Sequence, residues 1–195
     1  VDPEYDSLIS TGEDVSSSLL AIALNSIEIS SRSWRGWQIP IRTDSFHSNA
    51  KIEEIKANQI INSFKEGVKV AVVSGFQGIE QAGRITTLGR GGSDTSAVAI
   101  AAAIDAERCD IYTDVSGIYT TDPRIKRNAS KLKKISFEEM LEMASLGANV
   151  LQTRAVELAM RHKVPIRVLN SFLNEEGTLV CDEEEIMEKN IVSGI

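Results

Sequence analysis

The sequence predicts an α/β protein, a three-layer sandwich with a mainly parallel central sheet, and three observations predict it. Segments with helical apolar spacing alternate with short apolar strands along most of the 195 residues. One strand, Val68–Ser74, is a near-continuous apolar run of the kind buried on both faces in parallel sheets. Two strand candidates also run into polar loops, and that edge is where open α/β sheets bind ligands.

Taken in order, Thr11-Gly-Glu-Asp14 has the spacing of a capping box, so a helix is expected to start near Gly12, with Val15, Leu19, Leu20, Ala23, Leu24 and Ile27 at helical intervals. Glu13 would then lie in the first turn, where a carboxylate suits the dipole. Ile29–Ile41 reads as strand and turn, and Trp34 and Trp37 read as core or interface residues. Ile52 and Ile55 suit a short strand. Ile60, Ile61 and Phe64 share a helical face after a possible cap at Asn58, and Gly67 ends that helix.

The Val68–Ser74 strand runs into a tight loop, Gly75-Phe-Gln-Gly78. A second strand, Cys109–Tyr112, is followed by Thr113 and Asp114 and by the loop Ser116–Arg124. Lys126, Arg127, Lys131, Lys133 and Lys134 form a positive run, read as a solvated face. Ser136-Phe-Glu-Glu139 is another capping box, opening a helix that stops at Gly147. A helix over Leu151–His162, a strand over Val164–Asn170 and a short strand over Thr178–Val180 complete the alternation. The acidic run Asp182–Glu185 reads as a surface exit.

The densest stretch is Thr86–Ser96, Thr-Thr-Leu-Gly-Arg-Gly-Gly-Ser-Asp-Thr-Ser, with glycines at 89, 91 and 92. Ala97–Ile104 follows as a buried helix. A glycine turn at a helix N-terminus suits an anion, because unpaired N–H groups and the dipole point at it. Arg90 adds a planar fork of donors for carboxylate or phosphate. A plain glycine turn capped by Ser93 or Asp94 explains the same residues, and the stretch alone does not choose between them.

A net charge of −7 argues against a nucleic-acid partner. The longest apolar run, Ala97–Ile104, is far short of the ~20 residues of a membrane span. With two cysteines, Cys109 and Cys181, and two histidines, the chain is expected to be a reduced, cytoplasmic protein without a histidine metal cluster.

Ser10-Thr-Gly-Glu13, Gly75–Gly78, Thr86–Asp94, Thr113–Arg124 and Ala144–Gln152, in this order and spacing, resemble the aspartate kinases of the amino-acid kinase family. The resemblance implies transfer of the γ-phosphoryl of ATP to the side-chain carboxylate of L-aspartate, with Mg²⁺, as the first step toward lysine, threonine and methionine. Glu13 would bind the substrate's amino group and Arg90 its carboxylate. Ser93 would join them, with Asp94 as the catalytic organiser. Gly75, Phe76, Thr113, Asp114, Tyr119, Arg124 and the residue at 149 would hold the nucleotide. A homo-oligomer is implied for the full-length protein.

The family's Lys-Phe-Gly-Gly-Thr-Ser segment has no counterpart here, and Asn149 stands where the family usually has Lys. Residues 1–181 are thus expected to be a partial catalytic domain and 182–195 a linker toward a regulatory domain. The chain by itself is expected to be inactive and without lysine or threonine feedback. A non-catalytic remnant or companion subunit, or another member of the family, is the alternative.

Overall fold

In the computed structural model, which describes residues 2–147 and 150–187, the first helix begins well before the expected point. Asp2 caps it by accepting from the Glu4 amide at 2.9 Å, and Pro3 supplies the preset first position. The helix α1 therefore runs Pro3–Ser26. Thr11 is interior, its hydroxyl donating to the Leu8 carbonyl at 2.7 Å, and Glu13 lies beyond the first turn. The expected capping box at Thr11 gives way because the Asp-Pro signal upstream is stronger, and a mid-helix glycine costs only about 1 kcal/mol.

The chain divides into two compact units, one ending at Ile104 and the other beginning at Asp105. In the first, β1 (Ser31–Trp34) pairs in parallel with β4 (Val70–Val73). A second sheet takes β2 (Ile41–Thr43), β3 (Ile52–Ile55), β5 (Gln77–Ile79) and β6 (Ile85–Thr87) in the order β3-β2-β5-β6. The helices α2 (Asn58–Lys65) and α3 (Gly92–Ala103) complete the unit. Asn58 is the first residue of α2 rather than its cap, and Gly67 ends the turn at φ 100°.

Trp34, Ile39, Ile41 and Ile60 form the buried cluster of this unit, with Ile52, Ile55, Ala71, Val73, Ile100 and Ile104 against it. α1 packs on β1, β4 and β6. Trp34 is core, whereas Trp37 is half exposed. The short β5–β6 hairpin was not legible as strands. Gly78 serves close approach there, since a Cβ would fall 2.7 Å from the Ile41 carbonyl oxygen.

In the second unit β7 (Cys109–Thr113), β8 (Lys134–Ser136), β9 (Ile166–Asn170) and β10 (Thr178–Cys181) form a sheet in the order β7-β9-β10-β8. β7–β9 and β10–β8 are parallel and β9–β10 antiparallel. α4 (Phe137–Ser145) carries the expected capping box: Ser136 Oγ accepts from the Glu139 amide, and Glu139 accepts from the Ser136 amide. It packs on β8, β10 and α5 (Thr153–His162), and the short α6 (Glu183–Met187) follows β10. Part of the basic run is structural, because Lys134 opens β8, while Lys126 and Arg127 are exposed.

Among the described residues, four of seven strand pairings are parallel, so the α/β class with parallel-rich sheets stands. No disulfide joins Cys109 and Cys181, which are both buried. No helix of the described residues is long and apolar enough to cross a membrane.

Candidate active site

Six of the predicted site residues lie in the first unit. α3 starts where the glycine stretch predicts, with Gly91 as its N-cap at φ 70° and no side-chain cap bond. Ser93 and Asp94 are in its first turn, not at the cap position. A Cβ on Gly92 would meet Leu88 Cβ at 2.7 Å, so the loop closes on the helix only with glycine there. Arg90 projects from this loop and is exposed.

Gly75 and Phe76 join β4 to β5 and reach the same helix start. The Phe76 amide donates to Ser96 Oγ at 3.1 Å, and the Ser96 hydroxyl donates to the Ser93 carbonyl at 2.9 Å. Phe76 is left-handed at φ 66°, and its carbonyl accepts from the Leu88 amide at 2.9 Å. The two loops therefore hold each other.

α1 is fastened to the segment that joins β4 to β5. Gln77 donates its amide to Asp14 Oδ1 at 3.1 Å and to the Ser10 carbonyl at 3.3 Å. The Ser17 and Ser74 hydroxyls are 2.9 Å apart. Glu13, on the same helix, is exposed. Neither the Glu13 nor the Arg90 side chain has a hydrogen-bond or ion-pair partner among the described residues. One anion and one cation, each unengaged and mounted on a fixed backbone, are the groups an amino-acid zwitterion requires.

One residue of this unit, Asp6, carries no motif in the sequence. Asp6 is fully buried and takes five hydrogen bonds: from Thr87 N and Ser48 N at 2.9 Å, Thr87 Oγ1 at 2.8 Å, Ser48 Oγ at 2.9 Å and His47 Nδ1 at 2.9 Å. Burial pushes this carboxyl up, but the bonds from Ser48, Thr87 and His47 outweigh it and hold the carboxyl below its ordinary value. The only available signal was a polar residue spaced with Ser10, Ser17 and Ala21 along one helix face.

Thr113, Asp114, Tyr119 and Arg124 lie in the second unit. Thr113 ends β7, its hydroxyl donating to Asp114 Oδ1 at 3.1 Å, and Asp114 is exposed. Tyr119 is bridged antiparallel to Lys131. Arg124 is 90% exposed and pairs with Asp122 at 3.0 Å. Hydrogen bonding and charge from Arg124 hold the Asp122 carboxyl below its ordinary value. Gly117, at φ 136°, brings its backbone so close to Thr178 that a Cβ would lie 2.6 Å from Thr178 Oγ1. Asn149 lies outside the described residues.

Asn170, given no role from sequence, ends β9 beside Thr113. A groove of about 560 Å³ in this unit, lined by Tyr112, Lys133, Arg167, Leu169, Asn170 and Leu179 among others, contains none of the four predicted nucleotide residues. Within the groove Arg167 is tied to Asp110, which Arg108 also holds. Burial raises the Asp110 carboxyl, but the two guanidiniums more than offset it and hold it low.

Among the described residues no three His, Cys, Asp or Glu side chains gather to hold a metal. A Mg²⁺ carried on phosphates asks less, one or two carboxylates besides the phosphate oxygens. The exposed Asp114 carboxylate has that donor chemistry.

A model of the amino acid kinase family matches residues 2–170. The chain belongs to the amino acid kinase family. It is 56% identical over 193 residues to an aspartate kinase of Pseudomonas fluorescens, covering 98% of this chain and 46% of the relative. Among solved structures it resembles aspartokinase III of E. coli in complex with aspartate and ADP, at 38% identity and a TM-score of 0.84, covering 93% of this chain and 42% of that one. It also resembles aspartate kinase from Synechocystis at 46% identity and a TM-score of 0.76, covering 92% and 29%. This amino acid kinase chain spans about half the length of the curated relatives it matches.

Proposed function

We propose that the protein carrying this chain is an aspartate kinase, which moves the γ-phosphoryl of ATP to the side-chain carboxylate of L-aspartate to give aspartyl phosphate. The observation that carries the reading is the pair Glu13 and Arg90, both unengaged among the described residues, in a chain similar over 93% of its length to an aspartokinase bound to aspartate and ADP. Glu13 takes the ammonium and Arg90 the α-carboxylate. Each charge-assisted contact is worth roughly 1.5–3 kcal/mol. Ser93 and Asp94, in the first turn of α3, orient the acceptor.

The attacking group is already a carboxylate, so no general base is needed. Positioning and charge neutralisation supply the rate. Asp94 is therefore an organiser. Thr113, Asp114, Tyr119 and Arg124 contribute side chains to the nucleotide, and Gly75 and Phe76 present backbone beside the start of α3. Mg²⁺, when bound, neutralises the β- and γ-phosphate charge, with Asp114 as its carboxylate. Residues 1–181 act as part of a catalytic domain and 182–195 as a linker toward a regulatory domain, in a full-length protein that is a cytoplasmic homo-oligomer.

The test is coupled ADP release by the full-length protein with MgATP and L-aspartate. Aspartate-dependent turnover supports the reading; its absence at high protein concentration sinks it. The second reading, a non-catalytic remnant or companion subunit that binds nucleotide without turnover, draws on Asn149, an amide where the aspartate kinases usually carry a cation. Calorimetric binding of MgATP without turnover would favour it.

A further inference from the structure

Asp6 makes more contacts than a helix needs. An ionised carboxylate offers about four lone-pair sites. Asp6 fills them with five donors from two segments that are 41, 42 and 81 residues away in sequence. The first segment is the turn His47–Ser48. The second is Thr87, three residues before Arg90, held through both its amide and its hydroxyl.

From Thr87 onward the path to Arg90 has little freedom. The Thr87 carbonyl accepts from the Ala50 amide at 2.9 Å, and the Leu88 amide donates to Phe76. Leu88 is fully buried. Gly89 is left-handed at φ 75°, and a Cβ there would lie 2.8 Å from the Ser48 carbonyl oxygen. Ser48, gripped by Asp6, is thus the surface on which the Arg90 loop rests. On α1 Asp6 precedes Glu13 by seven residues, two helical turns or ~10.5 Å along the axis and nearly the same face.

We propose that Asp6 is a positioning residue that fixes the spacing between Glu13 and Arg90, and thereby the fit of the amino-acid substrate. The carboxylate belongs to the helix carrying Glu13, and it grips the backbone from which Arg90 projects. This rests on the proposed reading of Glu13 and Arg90 as the two ends of a zwitterion clamp. The Asp6 carboxylate touches no substrate and acts through Thr87 and Ser48. Loss of one donor lets the Arg90 loop shift against α1, so affinity for the amino acid falls while the nucleotide is unaffected.

The experiment uses the full-length protein with Asp6→Asn, Thr87→Val, Thr87→Ser and, as a stability control, Thr43→Val. The last removes the buried Thr43–Thr86 hydroxyl contact of 2.6 Å without touching Asp6. We expect KM for L-aspartate to rise at least tenfold in D6N and several-fold in T87V, with KM for ATP within twofold. T87S keeps the hydroxyl and restores the wild-type KM. T43V lowers the melting temperature without moving either KM.

KM values for aspartate and ATP that rise together, or an aspartate KM unmoved in T87V, overturn the proposal. If D6N does not fold, the T87V and T87S pair decides alone. If the wild-type protein does not phosphorylate aspartate, the function reading fails instead, and amide hydrogen exchange decides the clip. A tenfold acceleration confined to residues 87–92 and 47–50 in T87V supports it, and unchanged exchange there overturns it.

Discussion

Thr113 and Asn170 are register partners across the parallel β7–β9 pair, at the ends of both strands. The Asn170 amide donates to the Asp114 carbonyl and to Ser116 Oγ, each at 3.3 Å. Its oxygen accepts from the amides of Phe172 at 2.8 Å and Leu173 at 3.1 Å. One neutral side chain thus holds the loop that follows β7 against the loop that follows β9. A charged residue at this position would bring a desolvation cost; an amide satisfies both loops without it.

Asn170→Ala is expected to strip those contacts from a side chain only 9% exposed and to release the amides of the exposed Phe172 and Leu173. The loss is about 1–3 kcal/mol. Because the loop bears Asp114 and Tyr119, KM for ATP should rise several-fold while KM for aspartate stays within twofold. Steady-state kinetics beside a thermal melt checks this. A lower melting temperature with both KM values unchanged would make Asn170 purely structural.

Arg90→Ala tests the other half. Losing a charge-assisted contact of roughly 1.5–3 kcal/mol corresponds to a KM for L-aspartate about 10- to 150-fold higher. Arg90 is exposed, so the melting temperature should barely move. An unaltered aspartate KM would remove Arg90 from the substrate site.

Much of this was legible because the signals are local. Ser136 and Glu139 announce α4 within four residues, Gly91 and Gly92 announce α3, and the apolar run around Val70–Val73 announces β4. What stayed hidden depends on distant partners. An aspartate in the first turns of a helix is ordinary, and only the fold brings Thr87 to Asp6 across 81 residues. Asn170 likewise reads as a strand end until Ser116, 54 residues away, meets it. The start of α1 is hidden for a different reason, two competing local cap signals of which the upstream one wins.

Stability should fall in acid in a way traceable to two carboxylates. Asp6 and Asp110 both titrate below their ordinary value in the folded chain, so each contributes stability that is complete above the unfolded value of about 3.9. That contribution is lost as pH falls through the depressed folded values. The urea midpoint should therefore hold steady from pH 7 to 5 and drop below pH 4. Asp6→Asn and Asp110→Asn should each be less stable at pH 7 and lose less on acidification. A variant with the wild-type acid slope would mean that its carboxylate is not a source of the transition.

Gly12 separates the observed start of α1 from the start that the Thr11 spacing suggests. In the structure it is an exposed interior helical position, and a Cβ there would meet nothing within 4 Å. Replacing it with Ala removes the backbone-entropy penalty of glycine and should stabilise the first unit by about 0.5–1 kcal/mol. Gly78→Ala should do the reverse, since its Cβ would fall 2.4 Å from Thr43 Cγ2 as well as 2.7 Å from the Ile41 carbonyl oxygen, forcing β2 and β5 apart. Overpacking of this kind costs about 1–3 kcal/mol. If the helix instead began at Gly12, that residue would be outside the helical interior, and alanine would bring little or no gain. Equilibrium denaturation of the two single variants decides it: opposite signs fix α1 as continuous from Pro3 through Gly12, and a Gly12→Ala variant without gain would move its start back toward Thr11.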